Sequence, residues 1–250
     1  PGLSVISAGA VRTADEYRYR VINGGIFVQE QIGYANMFFV TGALRLDGNS
    51  GFGPDYGLAL YPKAQASFIL SELGFWPKSF WNSMKLRAAW GQAGLAPGVF
   101  DKERTWDAVA GLDGVPAVTP GNIGNRKLKP ERSNEFEFGF DAGFFNDRFG
   151  IEFTVYNQVT KDALLLKRYP PSEGWLNLQL TNVGEVRNKG IELTIRALPI
   201  STSSVSLDVN FMVSTNDNKV TSLGGTAPLP YGLGGIGEVR EGYPINSFWG

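Results

Sequence analysis

Two runs of alternating residues joined by a short turn occupy Leu128–Thr160. In the first, Phe136, Phe138, Phe140, Ala142 and Phe144 fall on one face, and Glu135, Glu137, Gly139 and Asp141 on the other. In the second, Phe149, Ile151, Phe153 and Val155 oppose Glu152, Thr154 and Tyr156. A period of two belongs to a β-strand, whose successive side chains point to opposite faces. Phe145-Asn146-Asp147-Arg148 between the runs is rich in turn formers, so the stretch predicts a hairpin. A soluble sandwich would also hide one face and wet the other, so the number and length of such runs must decide the architecture.

The alternation recurs. Ile26, Val28 and Ile32 share a face of a weaker run from Ile26 to Tyr34, interrupted by Glu30 and preceded by a predicted turn at Asn23-Gly24-Gly25. Phe38, Val40, Gly42, Leu44 and Leu46 oppose Thr41, Arg45 and Asp47. Gly57 to Leu70 reads as a long strand in which Pro62 predicts a bulge or kink. Met84–Gln92, Glu185–Ala197 and a last run through Val205, Leu207, Val209, Phe211 and Val213 complete about eight strands. Residues 93–127, 161–182 and 216–250 read as irregular.

Connections alternate between short (near 35, 71–83, 145–148, 199–204) and long (47–56, 93–127, 161–182, 215 onward). Successive antiparallel strands put successive connections at opposite ends, so the short turns gather at one end and the long loops at the other. Phe75, Trp76, Phe80, Trp81, Phe144, Phe145 and Phe149 all fall at the short-turn end. Short periplasmic turns, long extracellular loops and an aromatic girdle are the pattern of an outer-membrane barrel. The expected fold is therefore all-β: an antiparallel transmembrane β-barrel, partial, with about eight strands of a larger barrel. The alternative is a soluble all-β sandwich or propeller. Against it stand the long strands and the long loops recurring at one end.

Composition narrows the chemistry. None of the 250 residues is Cys or His, which removes disulfides, Cys or His zinc sites, Cys nucleophiles and His-based triads. A net charge of −1 gives no electrostatic case for nucleic acid. Mean hydropathy is −0.11, and no apolar run approaches the ~18 residues of a membrane-crossing helix. Barrel strands escape that test, because only every second residue is apolar. The chain begins at Pro1 without Met or signal peptide, and the natural N-terminus is expected to lie elsewhere.

Five motifs carry a resemblance. Leu128-Lys129-Pro130-Glu131-Arg132-Ser133, followed by the alternating Glu135–Gly139, resembles the "LKPE" strand start of TonB-dependent outer-membrane transporters. Asn182-Val183-Gly184-Glu185-Val186-Arg187-Asn188-Lys189-Gly190-Ile191-Glu192 resembles the "NVG…NKGIE" signature of the same barrels, most typical of the SusC/RagA branch. Arg45-Leu46-Asp47-Gly48-Asn49-Ser50-Gly51-Phe52-Gly53 is similar to that branch's "R.DGSSRFG" loop, with Gly51 where Arg is usual. Lys85–Gly94 is similar to "KLRASYGQTG", and Glu241–Gly250 to "G.P.G.F.GY".

The resemblance implies an internal piece of the barrel's C-terminal half, with 1–250 forming part of the barrel domain and the plug domain absent. It implies TonB-dependent active uptake, at the bacterial outer membrane, of a large nutrient such as an oligosaccharide or peptide. The implied partners are the TonB complex, acting through the missing plug, a SusD-like surface lipoprotein over the long loops, and outer-membrane lipid. No catalytic residue, cofactor or metal is expected. Alternatives are a TonB-dependent siderophore or vitamin receptor, a soluble carbohydrate-binding β-domain and an outer-membrane enzyme, the last disfavoured by the lack of His.

Candidate site residues follow from position. Glu135, Glu137, Asp141, Glu152, Glu192 and Asp208 alternate on the polar face and are expected to line a wet or plug-facing lumen; a paired-carboxylate glycosidase is the sharper, less favoured reading. Trp106, Trp175, Tyr231 and Trp249 are loop aromatics, suited either to a sugar or peptide ligand or to anchoring the loops. Asp101, Asp107 and Asp113 lack the spacing of an EF-hand loop. The two signature motifs are expected to be structural: Gly184 and Gly190 for tight backbone geometry, Pro130 to start a strand, and Lys129, Glu131, Arg187 and Lys189 to pair across strands at the rim.

Overall fold

The computed structural model describes residues 18–175, 177–231 and 236–248. Its main element is an eight-stranded antiparallel sheet in the order β1-β2-β3-β4-β7-β8-β9-β10. The strands are β1 (Asn23–Tyr34), β2 (Phe38–Asn49), β3 (Ala59–Ile69), β4 (Trp81–Leu95), β7 (Glu131–Phe144), β8 (Phe149–Lys167), β9 (Gln179–Ser201) and β10 (Ser206–Ser222). A hairpin of β5 (Trp106–Ala110) and β6 (Pro116–Pro120) is inserted between β4 and β7. A small sheet of β11 (Leu229–Tyr231), β12 (Gly237–Val239) and β13 (Ser247–Phe248) follows β10. Connections are short at 35–37, 70–80, 145–148 and 202–205, and longer or carrying their own strands at the opposite end.

Several expectations are corrected. Asn23-Gly24-Gly25 is no turn but the start of β1, opposite Asn49, Gly48 and Asp47, where the Asn49 amide bonds the Asn23 side chain across the strands. Pro62 makes no bulge: β2 and β3 stay in register through the Leu44–Pro62 pair. The β3–β4 ladder starts only at Lys63, so Pro62 lies where β3 has one partner strand. Within 93–127, 161–182 and 216–250 the described residues hold more strand than their Gly and Pro content implies. β8 and β9 run well past the apolar alternation, their ladder continuing through Gln158–Asn188 and Lys161–Glu185 to Leu166–Leu180 and Lys167–Gln179. A bulge at Asp162, whose φ is 56°, shifts their register.

The register fixes where the two faces lie. Glu30, Gly42, Ala64, Trp90, Phe136, Asn157, Lys189 and Asp217 form one continuous outward row across all eight strands. The apolar outward run reaches four residues beyond this row on β2, to Leu46. On β10 it stops four residues short, at Val213. The apolar stripe therefore slips by about 1.3 residues, roughly 4.4 Å, per strand spacing of about 4.8 Å. It runs diagonally across the sheet, at roughly 40° from the perpendicular to the strands. That is the tilt at which barrel strands stand, about 35–45°, so the stripe becomes a level belt in a closed wall. Along β7 it spans Phe136 to Phe144, about 26 Å of strand.

At the short-turn end the aromatics form one contact chain. Trp76 packs on Trp81 with ring centroids 4.7 Å apart, and Trp81 stacks on Phe144 at 5.5 Å. Phe80 meets Phe144 at 5.7 Å and Phe145 at 4.8 Å, and Phe144 meets Phe149 at 5.9 Å. Asn82 and Asn146 tie the adjoining turns together through two hydrogen bonds, one of 2.6 Å from the Asn146 N–H. Phe75 stands outside this chain, 78% exposed.

Buried hydrophobic clusters among the described residues lie at the other end. Phe52, Ala59 and Tyr61 form one, and Val186, Val220 and Leu223 the other, with Leu229, Val239 and Ile245 packed against the second. A one-layer wall has no interior of its own, so its compact packing gathers where loops fold back over the strand ends. The glycine of the "NKGIE" motif serves the wall itself. A Cβ on Gly190 would collide with the Thr215 carbonyl and stand 2.6 Å from the Tyr156 hydroxyl; without it, Tyr156 reaches over β9 to the Thr215 carbonyl at 3.2 Å. Gly190→Ala should therefore cost about 1–3 kcal/mol by overpacking. Gly42→Ala, whose Cβ meets open space, should stay within about 0.5 kcal/mol. Denaturant titration of the full-length protein in detergent or liposomes separates the two.

Candidate functional site

The polar face bends around open space. One cavity of about 530 Å³ is lined jointly by Gln31 of β1, Thr41, Gln65, Arg87 and Glu137 of β7. A second, of about 340 Å³, is lined by Glu135, Glu137, Glu152, Glu192, Arg87 and Tyr156 among others. Four of the six expected lumen carboxylates thus meet at one place. They come from β7, β8 and β9, and the register alone brings them together: Arg87, Gly139, Thr154 and Glu192 share one row, and Glu137, Tyr156 and Gly190 the next.

Arg87 organises this patch. Its Nε donates to Asp141 at 3.1 Å, and its terminal nitrogen donates to the Thr154 hydroxyl two strands away at 2.6 Å. That reach requires Gly139 between them, where a Cβ would collide with the Phe153 carbonyl and sit 3.2 Å from the guanidinium. Lys85 adds a second cation to Asp141 at 3.4 Å. Glu152 pairs with Arg196 at 3.0 Å. Glu135 instead ends a directional chain of amides. The Ile245 N–H donates to Asn218, Asn218 to Asn188, Asn188 to Gln158, and Gln158 to the Glu135 carboxylate at 2.5 Å. Asp208 stands apart, beside the β10 bulge near the short-turn end, where it accepts from Asn210 at 3.0 Å.

Two of the four loop aromatics come together. Trp106 on β5 and Trp175 in the β8–β9 loop lie 6.0 Å apart between ring centroids, with the Arg104 guanidinium 5.7 Å over the Trp175 ring. Trp106 is 55% exposed. Tyr231 belongs to a different place, a groove of about 1170 Å³ between residues 164–171 and 225–231; its hydroxyl donates to the Ser247 carbonyl at 3.3 Å. Trp249 lies outside the described residues.

The signature motifs clamp each other. Asn182 accepts from the Lys129 N–H at 3.1 Å and donates to the carbonyls of Lys129, at 2.8 Å, and Asp162, at 2.9 Å. Lys129 Nζ pairs with Asp162 at 2.9 Å, and Glu131 accepts from the Leu164 N–H at 3.2 Å. Gly53 of the third motif donates to the Leu128 carbonyl at 2.7 Å. Farther out, Gln179, 1% exposed, holds Ile123 and Gly121 of the long β4–β7 loop. Asn122 holds three carbonyls of the same loop. Lys189 pairs with Asp217 at 3.2 Å, and Arg187 donates to Asn157 at 2.7 Å. Local alternation gives no sign of Arg87 or Asn182 as organisers; Arg87 gains its reach from Gly139, which only the register sets opposite it.

Comparison with known proteins decides the family. The chain matches the family described as TonB dependent receptor-like, beta-barrel, over residues 3–249. It belongs to that family. It is 32% identical over 199 residues to TonB-dependent receptor P26 of Formosa agariphila, covering 77% of this chain and 20% of that protein. It is 25% identical over 242 residues to TonB-dependent receptor SusC of Bacteroides thetaiotaomicron, covering 86% of this chain and 23% of SusC. The chain thus spans about a fifth to a quarter of the length of these relatives. In fold it is similar to the RagAB peptide transporter, with a TM-score of 0.84 at 22% identity over 98% of this chain and 28% of that one. The siderophore receptor PirA of Pseudomonas aeruginosa is more distant, with a TM-score of 0.53 at 19% identity over 80% of this chain and 37% of that one. Among TonB-dependent barrels, the wall seen here has the SusC/RagA shape.

The clamp gives a test. Asn182→Leu removes three hydrogen bonds at the junction of the two motifs and should lower the stability of the full-length protein by about 2–3 kcal/mol. Proteolytic nicking should increase in residues 121–130 and be read by mass spectrometry.

Proposed function

We propose that residues 1–250 form wall, lumen surface and rim loops of a TonB-dependent outer-membrane transporter that takes up a large nutrient, an oligosaccharide or a peptide. The observation that carries this is the diagonal apolar stripe. A belt set at roughly 40° from the perpendicular to the strands levels out only in a tilted barrel wall, and a soluble sandwich has no reason to keep it. On this reading the stripe faces lipid, the carboxylate-lined face looks into the barrel, and the Trp106–Trp175 pair stands on the extracellular rim. The fold similarity to the RagAB transporter, well above that to PirA, supports the large-nutrient reading over a siderophore receptor. Energy would come from TonB acting on a plug domain, and a SusD-like lipoprotein would cover the rim. Transport makes and breaks no covalent bond, so the carboxylates serve as lumen surface and no catalytic residue is assigned.

Topology tests the reading in intact cells making the full-length protein. Asn146→Cys and Ser203→Cys, on short turns, should resist a membrane-impermeant thiol label, while Gly111→Cys and Ser222→Cys should react; the reverse pattern overturns it. The rim aromatics give a second outcome. Trp106→Ala with Trp175→Ala should lower nutrient uptake about tenfold, at unchanged surface amount, if the pair contacts the ligand in transit.

A further inference from the structure

Glu30 occupies an unusual place. On β1 the outward apolar run extends from Tyr34 through Ile32 and Val28 to Ile26, and Glu30 sits at its middle. The inward neighbours Gln29 and Gln31 follow the polar face, so Glu30 points with the apolar stripe. Directly across on β2 stands Gly42, around whose missing side chain there is open space. Among the described residues no hydrogen bond or ion pair reaches the Glu30 carboxylate. The outward cations nearest the stripe, Arg187 and Lys189, lie at its long-loop border on β9 and are engaged by Asn157 and Asp217. Among the described strands β1 pairs with β2 alone, so its other edge is free.

We propose that Glu30 is half of an ion pair across that edge, with a Lys or Arg that the strand pairing with β1 presents on its outward face. The inference rests on the reading that the stripe faces lipid. In hydrocarbon an open strand edge is not viable, so a strand must pair there. A bare carboxylate at mid-depth is costly, and lipid tails offer it no donor. Side chains directly opposite on antiparallel strands stand about 4.5–5.5 Å apart at Cβ, within salt-bridge reach. Gly42 excludes a partner on the β2 side, leaving the free edge as the direction of the cation. The pair also sets register, since a slip of one residue would turn the cation to the lumen and leave Glu30 bare.

The test uses the full-length protein refolded into liposomes, with the folded-to-unfolded ratio read at fixed urea. Glu30→Leu should lower that ratio about tenfold or more, because it strands the cation in lipid. Glu30→Lys should lower it further and be rescued by a Glu in place of the opposing cation, located by disulfide trapping from Glu30→Cys. A Glu30→Leu protein at least as stable as the parent overturns the pair, since that is what removing a bare carboxylate would give; failure of the charge swap to rescue does so as well. Val40→Glu, outward on β2, separates the two ideas. It should be destabilising if the stripe faces lipid, and its silence would overturn the lipid-facing reading and the pair with it.

Discussion

In hydrocarbon a backbone N–H or C=O has no water to turn to, and every one must find its partner within the protein. A sheet one layer thick meets that demand only through unbroken cross-strand ladders, and the rest of this structure follows from it. The register runs without a slip through the middle of all eight strands. Its few irregularities sit at the ends, beside Trp81, at Asp162, near Leu207 and near Val220. Bulges at the ends alter a loop; a bulge in the middle would move the apolar stripe off its diagonal on every strand beyond it.

With the ladders fixed, side chains divide into three kinds of work. Outward ones supply the stripe and its aromatic border. Inward ones cannot form a hydrophobic core, so they hold the wall through polar contacts that cross strands: Arg87 over Gly139, Tyr156 over Gly190, and the amide row from Asn218 to Glu135. The third group, at the long-loop end, converts sequence motifs into geometry. Asn182 reads the Lys129 backbone, Gly53 reads Leu128, and Ile245 donates to Asn218. Motifs that lie far apart along the chain are therefore neighbours at one rim, and their glycines and asparagines are explained by backbone packing without a ligand.

Much of this was legible in the alternation. A period of two placed the Phe136–Phe144 and Phe149–Val155 faces correctly and gave the alternation of short and long connections. It failed wherever the apolar signal stopped before the strand did. β9 runs from Gln179 to Ser201, yet only its middle alternates between lipid-type and water-type residues. Past Lys189 toward the rim, loops fold back over the strand and bury Val186 against Val220 and Leu223, so the lipid-against-water contrast is lost while the ladder continues. The β5–β6 hairpin was hidden for the same reason, being short, exposed and bounded by Pro and Gly. The carboxylates were legible as a face, but their convergence was not. That depends on register between strands, which alternation within one strand does not contain.

The inner wall also has a direction. Along the amide row each group donates toward β7, and the chain ends on Glu135, a pure acceptor. Arg87 and Lys85 spend their donors on Asp141 and Thr154, and Arg196 on Glu152. Glu137 and Glu192 remain beside them with no cation of the described wall bonded to their oxygens. A polar surface so arranged has acceptors in excess and is stable only against a donor-rich neighbour, whether water or the donor groups of a molecule seated against it. The bias is built by the same residues that lock the strands together, so loss of Arg87 would change both the mechanical coupling of β4 to β8 and the charge that this face presents. Wall stiffness and the chemistry of this polar face are therefore a single property of this sheet, and a substitution that alters one on this face is expected to alter the other.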